Sequence, residues 1–487
     1  MSLASELGDR FKAEFMGRAV SVISGAILII VLARLLDPDG YGLLFLAISV
    51  LGTIQLISKL GIAKSAARYI SKYKESDPDQ IPHIIKFSFI LNIGSILIVC
   101  ILLLIGHNFL ADLIGEPDLA PLLVLGVFFV AFATLATYVR LIFQGFEAIK
   151  PAGALQAIDR GLRAVLAIGF VILGYGAVGA LVGYIVAHTA AAALGLGFLY
   201  FRFYRGFSPS GIEVGLRRRI AEYTVPLTAT STARIIDKRV DTILVGVFIG
   251  PIGVAYYTLS RQIIEFIVTP IEALGFTLSP TYESEKVKGN TDIAARIYEE
   301  ALTHGLMLYI PAAAGLILVS EPLIYIVFGE EYAGAVPVLQ ILGIYAVLQS
   351  VKVLTDNGLD FLGRARERAI AKSVAAVLNL IFNIILIPRI GVIGAAVATV
   401  ITDAMYTIVN VYIMHTEIKI QIIHLVRQVS VILTITLIMS IVVYSTNGFL
   451  DGFISLFVMV GVGVVTWFIL VTSTGLLNTK KVYSKLT

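Results

Sequence analysis

Long apolar runs separated by short polar segments dominate the sequence. Each run has about the 20 residues that an α-helix needs to cross the hydrocarbon layer of a bilayer. The pattern predicts an all-α polytopic membrane protein with about fourteen transmembrane helices, called spans 1 to 14 here. The predicted spans, in chain order, are residues 14–36, 43–66, 84–106, 121–143, 154–175, 178–200, 223–249, 254–278, 298–320, 338–361, 369–388, 392–414, 427–446 and 452–473.

Span 7 departs from this apolar pattern. It carries five charged residues across its middle, Arg234, Asp237, Lys238, Arg239 and Asp241. Each central charge costs about 2.5–3.5 kcal/mol on insertion, and the apolar residues of the span, at about 0.3–0.6 kcal/mol each, do not offset five of them. At 100° per residue all but Arg239 fall on one stripe. We therefore expect span 7 to line a water-filled cavity or to pair with another helix.

The positive residues of the loops predict the topology. Lysine and arginine occur at both ends of the chain and in every second loop, and the other loops hold neither, apart from Arg389. Cytoplasmic loops of membrane proteins carry such an excess of positive charge. The pattern predicts a multi-pass protein of the cell membrane with both termini in the cytoplasm.

An internal repeat predicts the domain organisation. Three pairs of short segments match at nearly one offset: Gly115 with Gly329 (214), Pro38 with Pro251 (213), and Gly176 with Gly391 (215). Six spans per repeat place both copies the same way up, and substrates of such transporters bind where the repeats meet. We expect two six-helix bundles around a central cavity. The predicted domains are an N-terminal bundle (1–200), a basic cytoplasmic linker (201–222), a C-terminal bundle (223–415), and spans 13 and 14 with a cytoplasmic tail (416–487).

Composition agrees with a membrane protein and gives no sign of an enzyme. The chain is 58% hydrophobic and only 14% charged, whereas soluble domains are nearer half apolar and a quarter charged. The single cysteine, Cys100, and six scattered histidines have no metal-binding spacing. Neither a phosphate-binding loop nor a nucleophile elbow occurs. We expect no catalytic residue, no metal and no cofactor.

Four local sequences, in this order, carry a family resemblance. They are ARLLDPDGYG after span 1, FQGFEAIKP after span 4, DTILVGVFIG in span 7 and FGEEYAGA before span 10. With two six-helix bundles and two extra helices, the whole chain resembles the multidrug/oligosaccharidyl-lipid/polysaccharide (MOP) exporter superfamily, and within it the prokaryotic polysaccharide flippases of the O-antigen type. The resemblance implies that a polyprenyl-(pyro)phosphate-linked oligosaccharide is flipped by alternating access. It also implies membrane lipids as partners, no nucleic acid, a functional monomer, and polysaccharide assembly proteins as candidate partners.

An anionic lipid-linked substrate needs fixed cations at membrane depth. The candidate cations are Arg18, Arg34, Lys59, Arg234, Lys238, Arg261 and Lys352. Acids share the faces of spans 7, 8 and 10, namely Asp237, Asp241, Glu265, Asp356 and Asp360. These charges also fit a structural role, because several lie three or four residues apart and could neutralise each other along one helix.

His188 and Asp403 are candidates for ion coupling. They lie in the middle of spans 6 and 12, 215 residues apart, and so occupy equivalent positions of the repeat. A titratable pair at these positions could couple transport to a proton gradient. In the alternative, which we favour, each is a buried side chain bonded to a neighbouring threonine or tyrosine. Coupling to protons, to sodium or to the membrane potential stays open.

Three other functions fit parts of the sequence. A multidrug–cation antiporter of the same fold is not excluded, because the acids on spans 7, 8 and 10 outnumber the cations. A flippase for the peptidoglycan precursor lipid II would differ only in substrate. A membrane glycosyltransferase or polymerase would need a large loop or soluble domain with catalytic acids, and the longest loops here have about twenty residues.

Overall fold

The computed structural model describes the backbone of residues 3–206, 211–288, 291–446 and 452–476. It describes their side chains except at 3–23, 226–238 and several positions between 273 and 287. Within these ranges the chain forms fourteen α-helices and no strand. They are α1 (Leu3–Lys59), α2 (Ile62–Ser76), α3 (Ile81–Ile114), α4 (Leu119–Gly145), α5 (Ile149–Phe170), α6 (Gly176–Leu199), α7 (Leu216–Ile249), α8 (Pro251–Val287), α9 (Thr291–Leu323), α10 (Ala335–Phe361), α11 (Ala365–Ile390), α12 (Val392–Ile418), α13 (Ile422–Ser445) and α14 (Gly452–Ser473).

These helices confirm the all-α multi-pass fold. Spans 1 and 2 form α1, α2 extends span 2, and α3 to α14 correspond to spans 3 to 14. Ten segments of the described chain are long and apolar enough to cross a membrane, and two of them, Ser24–Lys59 and Ile149–Tyr204, hold two predicted spans each. Helices α7 and α8 are not among these ten segments. Both helices carry charged residues, which make them less apolar than the other spans. For span 7, the cost of inserting these charges into a membrane led us to expect this result.

Matching positions of the two repeats share unusual backbone conformations. Asp37 ends span 1 with φ 54° and ψ 175°, and Gly250 ends α7 with φ 91° and ψ −173°; each precedes a proline. Gly176 and Gly391 stand at the starts of α6 and α12 with φ 53°, ψ −144° and φ 67°, ψ −149°. Positive φ favours glycine. The carboxylate of Asp37 accepts a hydrogen bond from the amide of Gly40 at 2.9 Å, which helps hold this break.

Helices of the two repeats also pack in the same pattern. In the first repeat α3 packs on α4, α4 on α6, and α5 on α6; in the second α9 packs on α10, α10 on α12, and α11 on α12. Glycine permits the closest approaches. A Cβ added at Gly183 of α6 would collide with the backbone of α5 at Ala167, and one at Gly394 of α12 would collide with the backbone of α11 at Leu386. The repeat organisation is thus present in packing as well as in sequence.

Helices α13 and α14 are additions to the second repeat. Both pack on α9, and α13 also packs on α14. The indole N–H of Trp467 donates to the carbonyl of Met307 in α9 at 3.1 Å, which satisfies the polar end of this large side chain.

The chain divides into two compact units, Met1–Ala255 and Tyr256–Thr487. Within the first unit α7 packs on α1, α2 and α3. The bundle boundaries expected from the sequence, 1–200 and 223–415, stay predictions.

The linker that precedes α7 is clamped to the first unit. The Tyr73 hydroxyl donates to the carboxylate of Glu213, and the guanidinium of Arg219 donates to the same carboxylate at 2.6 Å. The side-chain amide of Gln80 accepts from the backbone N–H of Glu213 at 2.9 Å and donates to the carbonyl of Gly211 at 3.0 Å. Tyr73 and Arg219 both stabilise the charged carboxylate, and so they lower the pKa of Glu213. We call these contacts the linker clamp.

Candidate functional site

The candidate residues fall into two groups by what the structure describes. The side chains of Arg18, Arg234, Asp237 and Lys238 lie outside the described residues. The other candidate side chains are described: Arg34, Lys59, His188, Asp241, Arg261, Glu265, Lys352, Asp356, Asp360 and Asp403. Of these, Asp241 is buried and Arg34 is exposed.

In the second unit, Lys352 of α10 and Asp403 of α12 form a buried ion pair. The Lys352 ammonium lies 2.9 Å and 3.1 Å from the two carboxylate oxygens, and the side chains are only 13% and 8% exposed. The side-chain amide of Gln349 donates to the same carboxylate at 3.2 Å. Two opposite charges at this depth stabilise the fold only as a pair, since either alone would be a buried uncompensated charge.

A second group of charges continues from this pair along α10. The carboxylate of Asp356 accepts hydrogen bonds from Tyr406 at 3.0 Å and Asn410 at 2.9 Å, both in α12. The guanidinium of Arg368 in α11 donates to Asp360 at 2.7 Å and lies 3.7 Å from Asp356. Asp356, Asp360 and Asp403 therefore all have a cation partner within the second unit.

Arg261 lies on α8 in the second unit. It donates to the Tyr257 hydroxyl at 3.3 Å and lies 3.9 Å from the carboxylate of Glu265, one turn along the helix. The Tyr257 hydroxyl also bonds to the Thr399 hydroxyl of α12 at 3.2 Å. The expected intrahelical pairing of Arg261 with Glu265 is present, although at 3.9 Å it is a loose contact.

In the first unit, His188 of α6 faces Asp159 of α5. The imidazole Nδ1 lies 2.7 Å from a carboxylate oxygen of Asp159, and neither atom has another partner in the described chain. The second oxygen lies 3.2 Å from the guanidinium of Arg163, one turn further along α5. The ring of Phe129 packs edge-on against the imidazole with centroids 5.2 Å apart. Asp159 thus lies between two basic side chains.

The sequence analysis was wrong about the partners of His188 and Asp403. It favoured bonds to a neighbouring threonine or tyrosine, but the structure pairs His188 with Asp159 and Asp403 with Lys352. The two positions are equivalent in the repeat but differ in chemistry. His188 is the basic member of its contact, and Asp403 is the acidic member of its own. Whether either position couples ions stays a prediction.

A further group of basic residues lies in the first unit. Arg140 of α4 donates to the side-chain carbonyl of Gln156 at 2.8 Å and is attracted by the charge of Asp159. The ammonium of Lys59 is repelled by Arg140 and Arg239. Arg239 donates to the backbone carbonyl of Ile48 at 2.7 Å.

The sequence-based candidates do not include four of these residues, Arg140, Asp159, Arg239 and Arg368. Arg239 is not a candidate because it lies off the stripe of span 7. Asp159 had a detectable signal, an acid four residues before Arg163 in a predicted span. In the part of the chain that the structure describes, no three His, Cys, Asp or Glu side chains are grouped so as to hold a metal ion.

A family model described as "Polysaccharide biosynthesis protein" matches residues 14–281, which is more than half of the chain. The chain belongs to this family. A second model, MatE, matches residues 228–385 of this polysaccharide biosynthesis family member.

Two curated proteins are similar in sequence to this member of the polysaccharide biosynthesis family. The lipopolysaccharide biosynthesis protein WzxC of Escherichia coli K12 is 25% identical over 436 residues, covering 85% of this chain and 82% of that protein. Agl15 of Haloferax volcanii, described as a probable low-salt glycan biosynthesis flippase, is 30% identical over 181 residues. That match covers 37% of this chain and 38% of Agl15.

Solved structures identify the fold of this polysaccharide biosynthesis family member. The lipid II flippase MurJ in an inward closed conformation has a TM-score of 0.75 at 17% identity, covering 95% of this chain and 98% of that one. An inward-facing multidrug resistance MATE transporter of the MOP superfamily has a TM-score of 0.69 at 19% identity, covering 82% and 94%. At these identities the likeness concerns the fold alone. The two family models, rather than these structures, confirm the family resemblance.

Proposed function

We propose that this protein is a flippase that moves a polyprenyl-(pyro)phosphate-linked oligosaccharide across the cytoplasmic membrane for cell-surface glycan synthesis. The family match and the names of its relatives support this proposal. WzxC is named for lipopolysaccharide biosynthesis and Agl15 for glycan biosynthesis. AglR of Haloferax volcanii, 27% identical over 174 residues, is described as a probable flippase. The names of Agl15 and AglR state a probable flippase, which is a transporter rather than an enzyme.

The ion pairs among the described residues favour an anionic substrate over a cationic one. A drug pump for cations needs acids that are available to the drug, but Asp356, Asp360 and Asp403 are each engaged by a lysine or arginine. In the first unit the balance is reversed, because Lys59 lies among further cations. An anionic headgroup complements such a region, whereas a cationic drug would be repelled.

The proposal includes a working arrangement of the molecule. Both termini lie in the cytoplasm, and the cavity cations bind the anionic headgroup while the repeats alternate between inward- and outward-open states. The cations are Arg18, Arg34, Lys59, Arg234, Lys238, Arg261 and Lys352. His188 and Asp403 are the candidates for coupling to an ion gradient, and the protein acts as a monomer.

Reconstitution tests the function directly. Purified protein in liposomes should move a fluorescent polyprenyl-pyrophosphate-linked oligosaccharide from one leaflet to the other, measured by loss of protection from an impermeant quencher. Protein-free liposomes and liposomes with the unlabelled glycan in excess are the controls. Movement of lipid II in preference to the glycan would favour a peptidoglycan role. Efflux of a cationic dye without any glycan movement would contradict the proposal.

A further inference from the structure

A cavity of about 390 Å³ lies between α9, α12 and α13 in the second unit. Helices α12 and α13 both pack on α9, but they are not among the helix pairs of the described chain that pack closely on each other. The connection between them holds only residues 419–421, so the two helices diverge from a shared end. The cavity occupies the space that this divergence leaves.

An apolar stripe of α13 supplies more than half of the residues that line the cavity. The six residues recur at the spacing of one helical face, and the serine is the only polar residue among them. They are Ile422, Leu425, Val426, Val429, Ser430 and Leu433. From first to last the stripe advances eleven residues, or about 16 Å of helix, which is close to half of the roughly 30 Å hydrocarbon core. The cavity therefore has about the length of one leaflet, which suits an acyl chain.

The end of the cavity at the α12–α13 connection is polar. His415, in the last turn of α12, lines the cavity, and its Nδ1 is enclosed without a hydrogen-bond partner in the described chain. Lys419 follows in the connection, directly before the cavity residue Ile420, and Arg427 lies in the second turn of α13. Both cations are exposed, and neither forms an ion pair with a residue that the structure describes.

Local contacts fix this polar end. Lys419 ends α12 in the left-handed conformation, with φ 51° and ψ 57°, and its backbone N–H donates to the carbonyl of His415 at 2.9 Å. The buried carboxylate of Glu299 in α9 accepts a hydrogen bond from the backbone N–H of Gln421 at 2.6 Å. Ile420, between these two contacts, is buried. The connection is therefore anchored to both α9 and α12, and Lys419 stays next to the cavity.

An anionic phospholipid complements both ends of this cavity. The apolar stripe suits hydrocarbon rather than water, because a buried water needs two to four polar partners. Basic side chains between transmembrane helices at the cytoplasmic side bind the headgroups of anionic lipids. The proposed topology places the α12–α13 connection at that side. A lipid phosphate there would meet the charges of Lys419 and Arg427, and the ring of His415 can donate a hydrogen bond to it.

We propose that the cavity between α9, α12 and α13 binds one anionic glycerophospholipid of the cytoplasmic leaflet, such as phosphatidylglycerol. One acyl chain lies along the α13 stripe, and the phosphate contacts Lys419 and Arg427. The site goes beyond the proposed function, because it takes a membrane lipid rather than the glycan and uses none of the cations assigned to the substrate. A bound lipid fills the gap between α12 and α13 and so fixes the spacing of the second repeat and the added helices.

Quenching of a single tryptophan by brominated lipids tests this site in the full-length protein. The only tryptophan, Trp467, is replaced by phenylalanine, and a reporter is introduced as Leu433→Trp in the cavity or as Leu437→Trp at an exposed position outside it. In phosphatidylcholine liposomes, dibromo-phosphatidylglycerol should quench the cavity reporter at a mole fraction about five- to twenty-fivefold lower than dibromo-phosphatidylcholine does. This preference corresponds to about fivefold for each of two basic residues. The two brominated lipids should quench the outside reporter equally.

Substitutions at the polar end identify the residues that give the preference. Lys419→Gln and Arg427→Gln should each lower the preference for phosphatidylglycerol about fivefold at the cavity reporter. His415→Leu removes the hydrogen-bonding nitrogens and should weaken binding of phosphatidylglycerol about two- to tenfold. Arg389→Gln is the matched control, since Arg389 is also an exposed cation of the second unit but lies in the last turn of α11, which the proposed topology places at the outer face. It should keep the preference of the parent.

Several results would overturn the site. Equal quenching of the cavity reporter by both brominated lipids would do so, as would an unchanged preference in Lys419→Gln and Arg427→Gln, with folding checked by thermal unfolding. Displacement of dibromo-phosphatidylglycerol by an equal amount of geranylgeranyl phosphate would assign the cavity to a polyprenyl chain instead.

A second measurement does not depend on the reporter variants. Native mass spectrometry of the parent, equilibrated with equal amounts of phosphatidylglycerol and phosphatidylcholine, counts the lipids that stay bound. Preferential retention of phosphatidylglycerol by the parent, reduced in Lys419→Gln and kept in Arg389→Gln, supports the site. Equal retention of the two lipids by the parent contradicts it.

Discussion

The ion pair between Lys352 and Asp403 allows a sharp prediction about stability. Replacing Lys352 by methionine keeps the volume of the side chain but removes its charge. The Asp403 carboxylate is then left 8% exposed, with the 3.2 Å hydrogen bond from Gln349 as its remaining described partner. Removing one member of a buried pair typically costs about 3–5 kcal/mol. The Lys352 ammonium lies 2.9 Å and 3.1 Å from the two carboxylate oxygens, and this close pairing places the variant within that range.

The double variant Lys352→Met with Asp403→Asn should recover most of that stability. Asparagine has the same shape as aspartate, carries no charge, and can still accept the hydrogen bond from Gln349. The free energy of unfolding, measured for the purified protein and the variants in one detergent, gives the coupling between the two positions. If the destabilisations of the two single variants simply add in the double variant, the two charges do not stabilise each other and the reasoning fails.

The same variants separate a structural pair from a transport function. A double variant that is stable and flips the glycan at the rate of the parent would make the pair purely structural. A double variant that is equally stable but inactive would place Lys352 or Asp403 in substrate binding or ion coupling. Lys372→Gln in the neighbouring α11 is a control for the loss of one positive charge, since the Lys372 ammonium lies over the Tyr406 ring, 5.2 Å from its centroid.

Three further predictions concern topology, coupling and the linker. A cysteine at Asp118 should react with an impermeant thiol reagent from outside the cell and one at Lys288 should not; the opposite labelling would contradict cytoplasmic termini. If His188 couples transport to protons, His188→Gln should flatten the pH dependence of flipping while substrate binding persists, and an unchanged pH profile would return it to a structural role. Because the pKa of Glu213 is lowered in the folded state, its contribution is present above the usual value of 4.5 and disappears as the pH falls through the lowered one. Hydrogen exchange in residues 211–220, corrected for intrinsic rates, should therefore rise at acid pH in the parent but change less in Glu213→Gln, and equal rises in both would contradict the clamp.

The sequence alone determined the elements and their order. Runs of spanning length predicted the order of the helices that the described chain shows, because a chain in hydrocarbon must satisfy its backbone hydrogen bonds within each helix. Short matches at one offset predicted the repeat, and the matched positions carry the same backbone breaks, at Asp37 and Gly250 and at Gly176 and Gly391. These features are local. The backbone preferences of glycine and proline, and the length of an apolar run, depend on residues that are close together in the sequence.

Only the tertiary structure decided which charged residues meet. Asp159 and His188 are 29 residues apart, and Lys352 and Asp403 are 51 apart, so their contacts depend on how α5 and α10 pack against α6 and α12. Helical periodicity assigns a residue to a face of its own helix but does not say which helix covers that face. For this reason helical periodicity does not point to Arg239, which lies off the charged stripe of span 7. Packing of α7 on α1 places the Arg239 guanidinium over Gly52, and that contact is decided by the three-dimensional arrangement of two segments distant in the sequence.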